Sequence, residues 1–598
     1  MPINLLRLLS ICLLVLAACA SPTPAPGHTP TRSATLRPTR PATRGSTVQP
    51  TQVPTAQAAT TSTNNMPSPN VTNLMSNLTL EEKIGQIMLI GFEGLTLDAD
   101  LRDMIEHYHI GSVIYYARNV ASPQQVARLN AELQQTALDS GHPGLIISID
   151  QEGGRVTRLY ENQGFTEFPS AMALSATDNL DEVRQSARLM AAELKALGFN
   201  CDMAPDLDVN NNPANPVIGT RSFGSDPQRV ADYGVTYLQT LQSAGILPVG
   251  KHFPGHGDTG LDSHINLPTV PHDRARLDAI ELAPFKAAIQ ADVAALMSAH
   301  ITFPAIEPTP GLPATLSQQV LTGLLRNELG FDGLIFTDEL GMGALGEGGY
   351  PPPQAAVAAL KAGADVLLFN LDYALHRETH RLLVAALESG EIPMSRLDDA
   401  VRRILSVKER FGILQPAPID LDHLGDQVGT TDHRSRMDTI AAHSITLLRD
   451  TDHAIPLTST AYVIEVPAAR GLAAALDATA ISSDANPTAA NIRTAVGLVR
   501  SKRPIVVGLV NTAANPNQAR LVQALIDAHA TVIVVALRDP YDLAAVPDAP
   551  TMLASYGTTP SSLRALAAVL KGAVVAQGKL PVDLPGLFPL GAGISQQP

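Results

Sequence analysis

From about residue 84, the chain alternates short apolar runs with longer amphipathic segments, and this alternation restricts the possible folds. Eight such runs occur, at 84–92, 110–116, 144–150, 198–204, 245–252, 293–300, 333–339 and 363–370. Apolar runs without polar alternation are typical of strands buried on both faces. The segments between them predict helices; one begins at Ser122, an N-cap serine followed by proline. Eight β-then-α units predict a (β/α)8 TIM-like barrel, with a doubly wound open sheet as the alternative.

Polar residues stand repeatedly where the predicted strands end. Asp150 ends the third run, Lys251 and His252 end the fifth, His300 ends the sixth and Asp338 follows the core of the seventh. In a barrel of parallel strands, the chemistry takes place at the carboxyl ends of the strands. These positions therefore predict an active site on the barrel.

A second, smaller α/β pattern follows the barrel. Apolar runs recur at 461–466, 504–510 and 531–537, with helical segments between them. We therefore predict a barrel domain over 71–411 and a C-terminal α/β sandwich domain over 441–598. The stretch between them, 412–440, is rich in Pro, Asp and Gly and is interpreted as a linker. Neither domain contains a phosphate-binding or dinucleotide-binding glycine motif, and no cofactor is expected.

The N-terminal segment has the pattern of an export signal. Arg7 precedes the apolar run "LLSICLLVLAAC", which is short for a membrane span but suits a signal-peptide core. Its end, "LAAC", resembles a bacterial lipobox, which predicts a signal peptide over 1–19 and lipidation of Cys19. A transmembrane helix is the alternative. Residues 20–70, rich in Thr, Pro and Ala, predict a disordered tether. The protein is expected to be exported and anchored to the cell membrane by lipid.

Charge and cysteine content exclude several classes of function. Residues 1–70 contain five arginines and no acid, so the rest of the chain has 37 basic and 57 acidic residues and a formal charge of −20. Such an acidic body argues against binding to nucleic acid. After signal removal and lipidation of Cys19, Cys201 is the one remaining free thiol, which excludes a disulfide framework and cysteine ligation of a metal.

The stretch "KHFPGHGDTGLDSH", residues 251–264, concentrates three of the 16 histidines of the chain. A metal site, a catalytic site and a solvated loop are all compatible with that composition. His252 and His256 have the spacing of metal ligands on one helix face, but Pro254 and the neighbouring glycines oppose a helix. We therefore predict no metal site and a structural role for His256.

The triplet "DSH" at the end of this stretch indicates acid/base chemistry. A carboxylate at Asp262 can hydrogen-bond one ring nitrogen of His264, which fixes the tautomer and raises the basicity of the other nitrogen. Such an imidazole can give and take protons near neutral pH.

Five motifs together resemble bacterial β-N-acetylglucosaminidases of glycoside hydrolase family 3. They are "IDQEGGRVTRL" (149–159), "MAPDLDVNNNPANPVIGTRSFG" (203–224), the histidine stretch, "SAHITFPAI" (298–306) and "FTDELGM" (336–342). The resemblance covers nearly the whole body in the correct order. A C-terminal stretch, "YGTTPSSLRALAAVLKG…GKLPVDLP", is similar to the two-domain members.

The resemblance implies a retaining mechanism through a covalent glycosyl-enzyme. Asp338, the first acid of "FTDEL", matches the position of the nucleophile, and Glu339 is its local rival. His264 matches the unusual acid/base of this branch, and Asp262 matches its orienting partner. The implied substrates are saccharides with β-linked N-acetylglucosamine, from chitooligosaccharides or peptidoglycan fragments.

The same resemblance implies which residues bind the sugar. Asp150 is expected to accept hydrogen bonds from hydroxyls, and Arg158 and Arg221 to contact the sugar and its acetamido side. Lys251 and His252 are expected to bind neighbouring hydroxyls. Other polar residues are assigned to the scaffold: Arg155, Asp208 and His300. A phosphorylase or β-glucosidase of the same family, and a non-catalytic carbohydrate-binding lipoprotein, are the alternatives; the protein is expected to be a monomer.

Overall fold

The computed structural model describes residues 67–594. Its first sheet has eight parallel strands: β1 (Met88–Gly91), β2 (Ser112–Tyr115), β3 (Ile146–Ile149), β4 (Cys201–Asp202), β5 (Leu247–Phe253), β6 (Ala295–Ser298), β7 (Leu334–Phe336) and β8 (Leu367–Phe369). Each strand pairs with its sequence neighbour, and β1 also pairs with β8. Between β7 and β8, Val366 N–H donates to Ile335 O at 3.1 Å and Thr337 N–H donates to Val366 O at 2.9 Å. These bonds close the sheet, so the predicted barrel is confirmed and the open-sheet alternative is wrong.

Helices surround the barrel, as the β-then-α alternation predicts. They are α1 (Pro69–Asn77), α2 (Leu80–Gln86), α3 (Ala99–Glu106), α4 (Pro123–Asp139), α5 (Ala171–Ala176), α6 (Leu180–Ala196), α7 (Pro227–Ser243), α8 (Arg274–Ala279), α9 (Ala283–Gln290), α10 (Gly343–Glu347), α11 (Pro352–Ala362), α12 (Tyr373–Glu388) and α13 (Met394–Arg410). A π-helical segment, Gln319–Glu328, connects β6 to β7. The predicted start of α4 is confirmed, because the Ser122 side chain accepts a hydrogen bond from Gln125 N–H and Pro123 is the first helical residue.

The barrel strands are buried throughout their length. Aromatic rings pack edge to face within this core, with centroids 4.9 Å apart for Phe92 and Tyr115 and 5.0 Å apart for Tyr115 and Phe199. A rigid core of this kind fixes the positions from which the loops at the strand ends project.

The C-terminal sheet has six strands in the order β11-β10-β12-β13-β14-β9. They are β9 (Thr446–Asp450), β10 (Tyr462–Glu465), β11 (Thr479–Ser482), β12 (Ile505–Leu509), β13 (Val532–Ala536) and β14 (Thr551–Ala554), and β9 is antiparallel to β14. The helices are α14 (Thr431–Ser444), α15 (Leu472–Ala475), α16 (Ala489–Gly497), α17 (Asn517–Asp527) and α18 (Pro560–Leu570). Successive residues of β12, Val506 and Val507, enter separate apolar clusters on the two faces. The sheet is therefore covered on both sides, as an α/β sandwich requires.

Some element boundaries differ from those read off the sequence. The first apolar run begins in the last turn of α2, because a buried helix end and a buried strand have the same composition. Helix α14 begins within the predicted linker, where Thr430 accepts a hydrogen bond from His433 N–H as its N-cap. The predicted signal peptide, Cys19 and most of the tether lie outside the described residues. Within residues 67–594, no helix has both the length and the apolarity for a membrane span.

Candidate active site

The polar residues predicted from the strand ends converge on one cavity. Asp150 directly follows β3, Lys251 and His252 lie near the end of β5, and Asp338 lies two residues beyond β7. The cavity has a volume of about 440 Å³ and is lined by all eight residues that the sequence predicts for the site: Asp150, Arg158, Arg221, Lys251, His252, Asp262, His264 and Asp338.

Asp150 lies between two cations. Arg158 Nη2 donates to its Oδ2 at 3.1 Å, and Lys251 Nζ donates to its Oδ1 at 3.0 Å. Burial raises the pKa of Asp150, but Lys251 and Arg158 outweigh that effect and hold the pKa below its ordinary value. The carboxyl group is therefore ionised at neutral pH and can accept further hydrogen bonds.

Glu152, which the sequence analysis missed, is the carboxylate that organises the cationic side of the cavity. Arg221 donates to it twice, through Nε and Nη2 at 2.8 Å each, and Lys251 Nζ lies 2.7 Å away. Burial opposes ionisation, yet Arg221 and Lys251 lower the pKa of Glu152 far below its ordinary value. A bidentate pair fixes both position and orientation of the guanidinium. Glu152 could have been predicted from its position in "IDQEGG", because it lies two residues after Asp150 at the same strand end.

His252 is oriented by Asp208, which the sequence analysis assigned to the scaffold. Asp208 Oδ2 lies 2.7 Å from His252 Nδ1, and its Oδ1 accepts the backbone N–H of His256 at 2.6 Å. Arg221 Nη2 lies 3.3 Å from the other ring nitrogen, Nε2. Burial and then Arg221 lower the pKa of His252 to about 4. The imidazole is therefore neutral, with its proton on Nδ1, because the guanidinium can only donate.

His256 has the structural position that the sequence analysis expected. Its Nδ1 lies 2.9 Å from Thr259 Oγ1 and its Nε2 lies 2.9 Å from Ser263 Oγ. Burial lowers its pKa to about 3. Both ring nitrogens are engaged within the loop, so this neutral imidazole holds the loop together. His300 is similarly engaged, with Thr315 Oγ1 and Glu339 O each at 2.9 Å.

Asp338 presents a carboxylate oxygen to the cavity. Its Oδ1 accepts Glu339 N–H at 2.8 Å, and its Oδ2 has no hydrogen-bond partner among residues 67–594. Burial raises its pKa, but His252 and His300 outweigh this and the pKa is lowered. Glu339, the local rival, has Oε1 engaged by the N–H groups of Gly341 and Asn370, at 2.8 and 3.1 Å, and burial raises its pKa. The lowered pKa keeps the Asp338 carboxylate ionised, whereas burial favours the protonated form of Glu339.

Asp262 and His264 form a hydrogen-bonded dyad. Asp262 Oδ1 lies 2.7 Å from His264 Nδ1 and accepts the His264 N–H at 2.9 Å. The His264 side chain is 61% exposed, and its Nε2 has no partner in the described part of the chain. Gly343, five residues beyond Asp338, donates its N–H to His264 O at 3.0 Å, and an added Cβ at Gly343 would lie 2.7 Å from that oxygen. The loop is thus attached to the segment that carries Asp338.

Arg221 and Arg155 both line the cavity but differ in how their side chains are paired. Arg221 is 8% exposed and fixed by Glu152. Arg155, assigned to the scaffold, lines the cavity and makes no hydrogen bond or ion pair with any residue in 67–594. The sequence could not indicate this difference, because the possible partners of Arg155 are set by how loops distant in sequence pack together.

Among residues 67–594, two groups of three side chains have ligand atoms within 4.8 Å of one another, although the sequence predicts no metal ligands. These groups are Asp206, Asp208 and His252, and Asp258, His272 and Glu281. Protein cations face both of them. Arg221 Nε lies 3.7 Å from Asp206 Oδ2, and Arg276 Nη2 lies 3.2 Å from both Asp258 Oδ2 and Glu281 Oε1. The expectation that the protein needs no metal stays a prediction.

Comparison with known proteins places this cavity in a family. Residues 79–407 match the glycosyl hydrolase family 3 N-terminal domain. Beta-hexosaminidase A of Pseudoalteromonas piscicida is 34% identical over 391 residues, which span 62% of this chain and 64% of that protein. A beta-N-acetylglucosaminidase/beta-glucosidase of Cellulomonas fimi is 29% identical over 557 residues, which span 86% and 95% of the two chains.

A solved structure has the same architecture over nearly all of the described residues. It is that of a glycoside hydrolase family 3 beta-N-acetylglucosaminidase from Paenibacillus sp. str. FPU-7, with 41% identity and a TM-score of 0.80. The likeness covers 86% of this chain and 100% of the other. Since the family domain matches more than half of the chain and contains the whole cavity-bearing barrel, the chain belongs to glycosyl hydrolase family 3.

Proposed function

We propose that this chain is an exo-acting, retaining β-N-acetylglucosaminidase that hydrolyses terminal N-acetylglucosamine from chitooligosaccharides or peptidoglycan fragments. One observation carries the proposal: a single cavity contains the Asp338 carboxylate, with one oxygen unpartnered among residues 67–594, and the His264–Asp262 dyad. The names of the relatives from Pseudoalteromonas, Cellulomonas and Paenibacillus support the choice of sugar.

In the first step, Asp338 attacks the anomeric carbon. The bond from that carbon to the leaving oxygen breaks as His264 donates its Nε2 proton to the oxygen, and a glycosyl ester of Asp338 forms. In the second step, a water molecule transfers a proton to His264 while its oxygen attacks the same carbon. The ester bond breaks and Asp338 is released. Two inversions at one carbon preserve the β configuration.

The dyad is suited to both proton transfers. Asp262 accepts the proton of His264 Nδ1, which leaves Nε2 to exchange protons with the substrate and then with water. Because the dyad lies on an exposed loop, we propose that the loop closes over bound sugar. Leu261 and Ile265, which flank the dyad, are 50% and 64% exposed, and closure would bury their apolar surface.

The remaining donors and acceptors of the cavity are proposed to bind the terminal sugar. Lys251 Nζ donates to Asp150 and Glu152, which leaves one of its three protons for a hydroxyl. Arg221 uses Nε and Nη2 on Glu152, so its Nη1 can still donate. Asp150 can accept further hydrogen bonds from sugar hydroxyls. Arg158, whose guanidinium is oriented by Asp150, and His252 are also proposed to contact the sugar.

Kinetics on matched nitrophenyl glycosides test the proposed specificity. Since the cavity is proposed to bind a 2-acetamido group, kcat/KM for the N-acetylglucosaminide should exceed that for the glucoside by at least about tenfold. Release of nitrophenol from both compounds is measured, with and without inorganic phosphate. Equal or faster cleavage of the glucoside would favour the β-glucosidase alternative, and sugar 1-phosphate as the product would favour the phosphorylase. Release from neither would favour the non-catalytic binding protein.

We further propose that the protein is a monomer that is exported and anchored to the membrane through lipid on Cys19. The lipobox-like "LAAC" and the basic tether, which contains no acid, support the export and the anchor, since lipid chains hold a protein at a membrane and cationic segments suit anionic surfaces. Expressed in a bacterium, the Cys19→Ser variant should lose fatty-acid labelling and leave the membrane fraction. Cys12→Ser, which changes a residue of the segment to be removed, is the matched control. Equal partition of the Cys19 variant and the unmodified protein would contradict the anchor.

A further inference from the structure

The loop that carries the Asp262–His264 dyad, residues 254–267, is held at its tip by one short helix. The tip is defined as residues 261–267. Three hydrogen bonds connect it to residues outside the loop, within the part of the chain that the structure describes, and all three end on α10: Gly343 N–H donates to His264 O at 3.0 Å, Ala344 N–H donates to Ser263 O at 3.3 Å, and Leu267 N–H donates to Glu347 Oε2 at 3.2 Å. Helix α10 therefore determines where the tip lies.

The base of the loop is fixed separately. Asp258 Oδ2 lies 2.7 Å from His272 Nε2 and accepts a hydrogen bond from Arg276 Nη2 at 3.2 Å. Gly260 lies between this base and the tip, and a Cβ added there would meet no neighbouring atom within 4 Å. Because the chain has open space at Gly260, the fixed base does not by itself position the dyad.

The segment between Asp338 and α10 is attached to the barrel. Leu340 is fully buried, and its N–H donates to Leu368 O of β8 at 2.9 Å. Glu339 Oε1 accepts the N–H of Asn370, just beyond β8, at 3.1 Å. Helix α10 begins five residues after Asp338. Its place relative to the proposed nucleophile is therefore set by the barrel.

Gly343 allows the tip and α10 to approach each other closely. A Cβ added at Gly343 would lie 2.7 Å from both His264 O and Ile265 O. Both are backbone atoms, so a side chain at this position would require the tip or the helix to move. Gly346 lies three residues later in the same helix, and a Cβ added there would meet nothing within 4 Å. The two glycines of α10 thus differ in their contact with the tip.

We propose that Gly343 is a positioning residue for the reaction: it lets the tip pack directly on α10, and this contact sets the place of His264 relative to Asp338. The inference rests on the proposed function, which assigns the proton donor to His264 and the nucleophile to Asp338. A proton donor must lie within about 3 Å of the atom that it protonates, and a displacement of about 1 Å can slow a reaction by about a hundredfold. Gly343 has no group that reacts, so it acts through the backbone of the tip.

Gly343→Ala and Gly346→Ala test this inference as a matched pair. Both variants add one methyl group to α10 and change its helix propensity alike, but only the methyl group at Gly343 meets the tip. Gly343→Ala should lower kcat/KM for an N-acetylglucosamine disaccharide by about tenfold or more, and the glycosylation step on the nitrophenyl glycoside by less than about threefold, because the sugar alkoxide needs the proton and nitrophenolate does not. Gly346→Ala should change neither rate.

Binding of the terminal sugar provides a readout that the displaced tip should not change. The proposed sugar-binding residues Asp150, Lys251 and Arg221 are held by contacts with one another and with Glu152, outside the tip. The inhibition constant of free N-acetylglucosamine should therefore stay within about twofold of its unmodified value in both glycine variants. A large increase in Gly343→Ala alone would assign the residue to sugar binding and contradict the inference.

A double-variant cycle separates positioning of His264 from a direct effect on Asp338. In a His264→Ala background, Gly343→Ala should slow the disaccharide by no more than about twofold, because the group whose position it changes is absent. An effect through Asp338 would persist in that background and would slow the nitrophenyl glycoside as much as the disaccharide. That result would also overturn the inference.

Glu347→Ala gives a second test that does not require a methyl group at the close contact. Glu347 is exposed, so its removal should leave the melting temperature unchanged. Loss of its hydrogen bond from Leu267 should lower the disaccharide rate by about threefold and leave the nitrophenyl glycosylation step unchanged. If Gly343→Ala does not fold, an unchanged ratio of the two rates in Glu347→Ala would count against positioning by α10.

Two remaining outcomes separate this inference from the proposed function. Equal effects of Gly343→Ala and Gly346→Ala would overturn the positioning role while the glycosidase activity stands. Failure of the unmodified full-length protein to cleave either the disaccharide or the nitrophenyl glycoside would remove the proposed function and the positioning role together.

Discussion

Replacement of Asp338 by alanine is expected to lower turnover of the nitrophenyl N-acetylglucosaminide by at least about a thousandfold. In the proposed mechanism this carboxylate forms the covalent bond to the sugar. Glu339 is not expected to replace it, because burial raises the pKa of its carboxyl group, whereas the pKa of Asp338 is lowered. Steady-state kinetics give the loss, and the melting temperature shows whether the fold is intact. Activity within tenfold of the unmodified protein would remove Asp338 from this role.

A small anion provides a sharper test of the same assignment. If the carboxylate is the nucleophile, azide entering the space left in Asp338→Ala can attack the anomeric carbon directly as nitrophenolate leaves. The product is then the α-glycosyl azide, since a single inversion occurs. Isolation of that product identifies the role of the missing group. If Asp338→Ala were inactive because its structure is disrupted, azide would not restore nitrophenolate release.

Replacement of His264 by alanine should show an effect that depends on the leaving group. Nitrophenolate departs with little help, whereas a sugar alkoxide needs a proton from the acid. We expect a loss of about a hundredfold or more on an N-acetylglucosamine disaccharide and less than about tenfold for the glycosylation step on the nitrophenyl glycoside. Single-turnover measurements isolate that step, because His264 also activates water in the second one.

Two neighbouring variants provide the controls. Asp262→Asn should show the same dependence on the leaving group in a milder form, because the imidazole remains but its 2.7 Å partner loses its charge. His256→Ala should slow both substrates alike, since both ring nitrogens of His256 bond within the loop. An equal loss on both substrates for His264→Ala would assign His264 to loop structure or sugar binding, and Glu339 would be the next proton donor to test.

The sequence by itself determined the barrel, the rim that carries the site and eight of the residues that line its cavity. Strands buried on both faces must be apolar along their whole length, so the local composition of the sequence indicates where they lie. Parallel strands of a barrel all end at one rim, so polar residues at those ends must meet. Asp150, Lys251 and Asp338 could therefore be placed together without coordinates. The roles of these residues came from the family resemblance.

Only the tertiary structure decided how the charges of the site pair. Glu152 and Arg221 are 69 positions apart, and no local pattern indicates that their side chains form a bidentate pair. The contact between Tyr541 and Asn210 spans 331 positions and joins two domains whose relation the sequence left open. Ion pairs depend on distances of a few ångströms between loops, and those distances follow from packing of the whole chain. For that reason Arg221 is fixed by a carboxylate, and Arg155, expected to be structural, faces the cavity unpaired among the residues described.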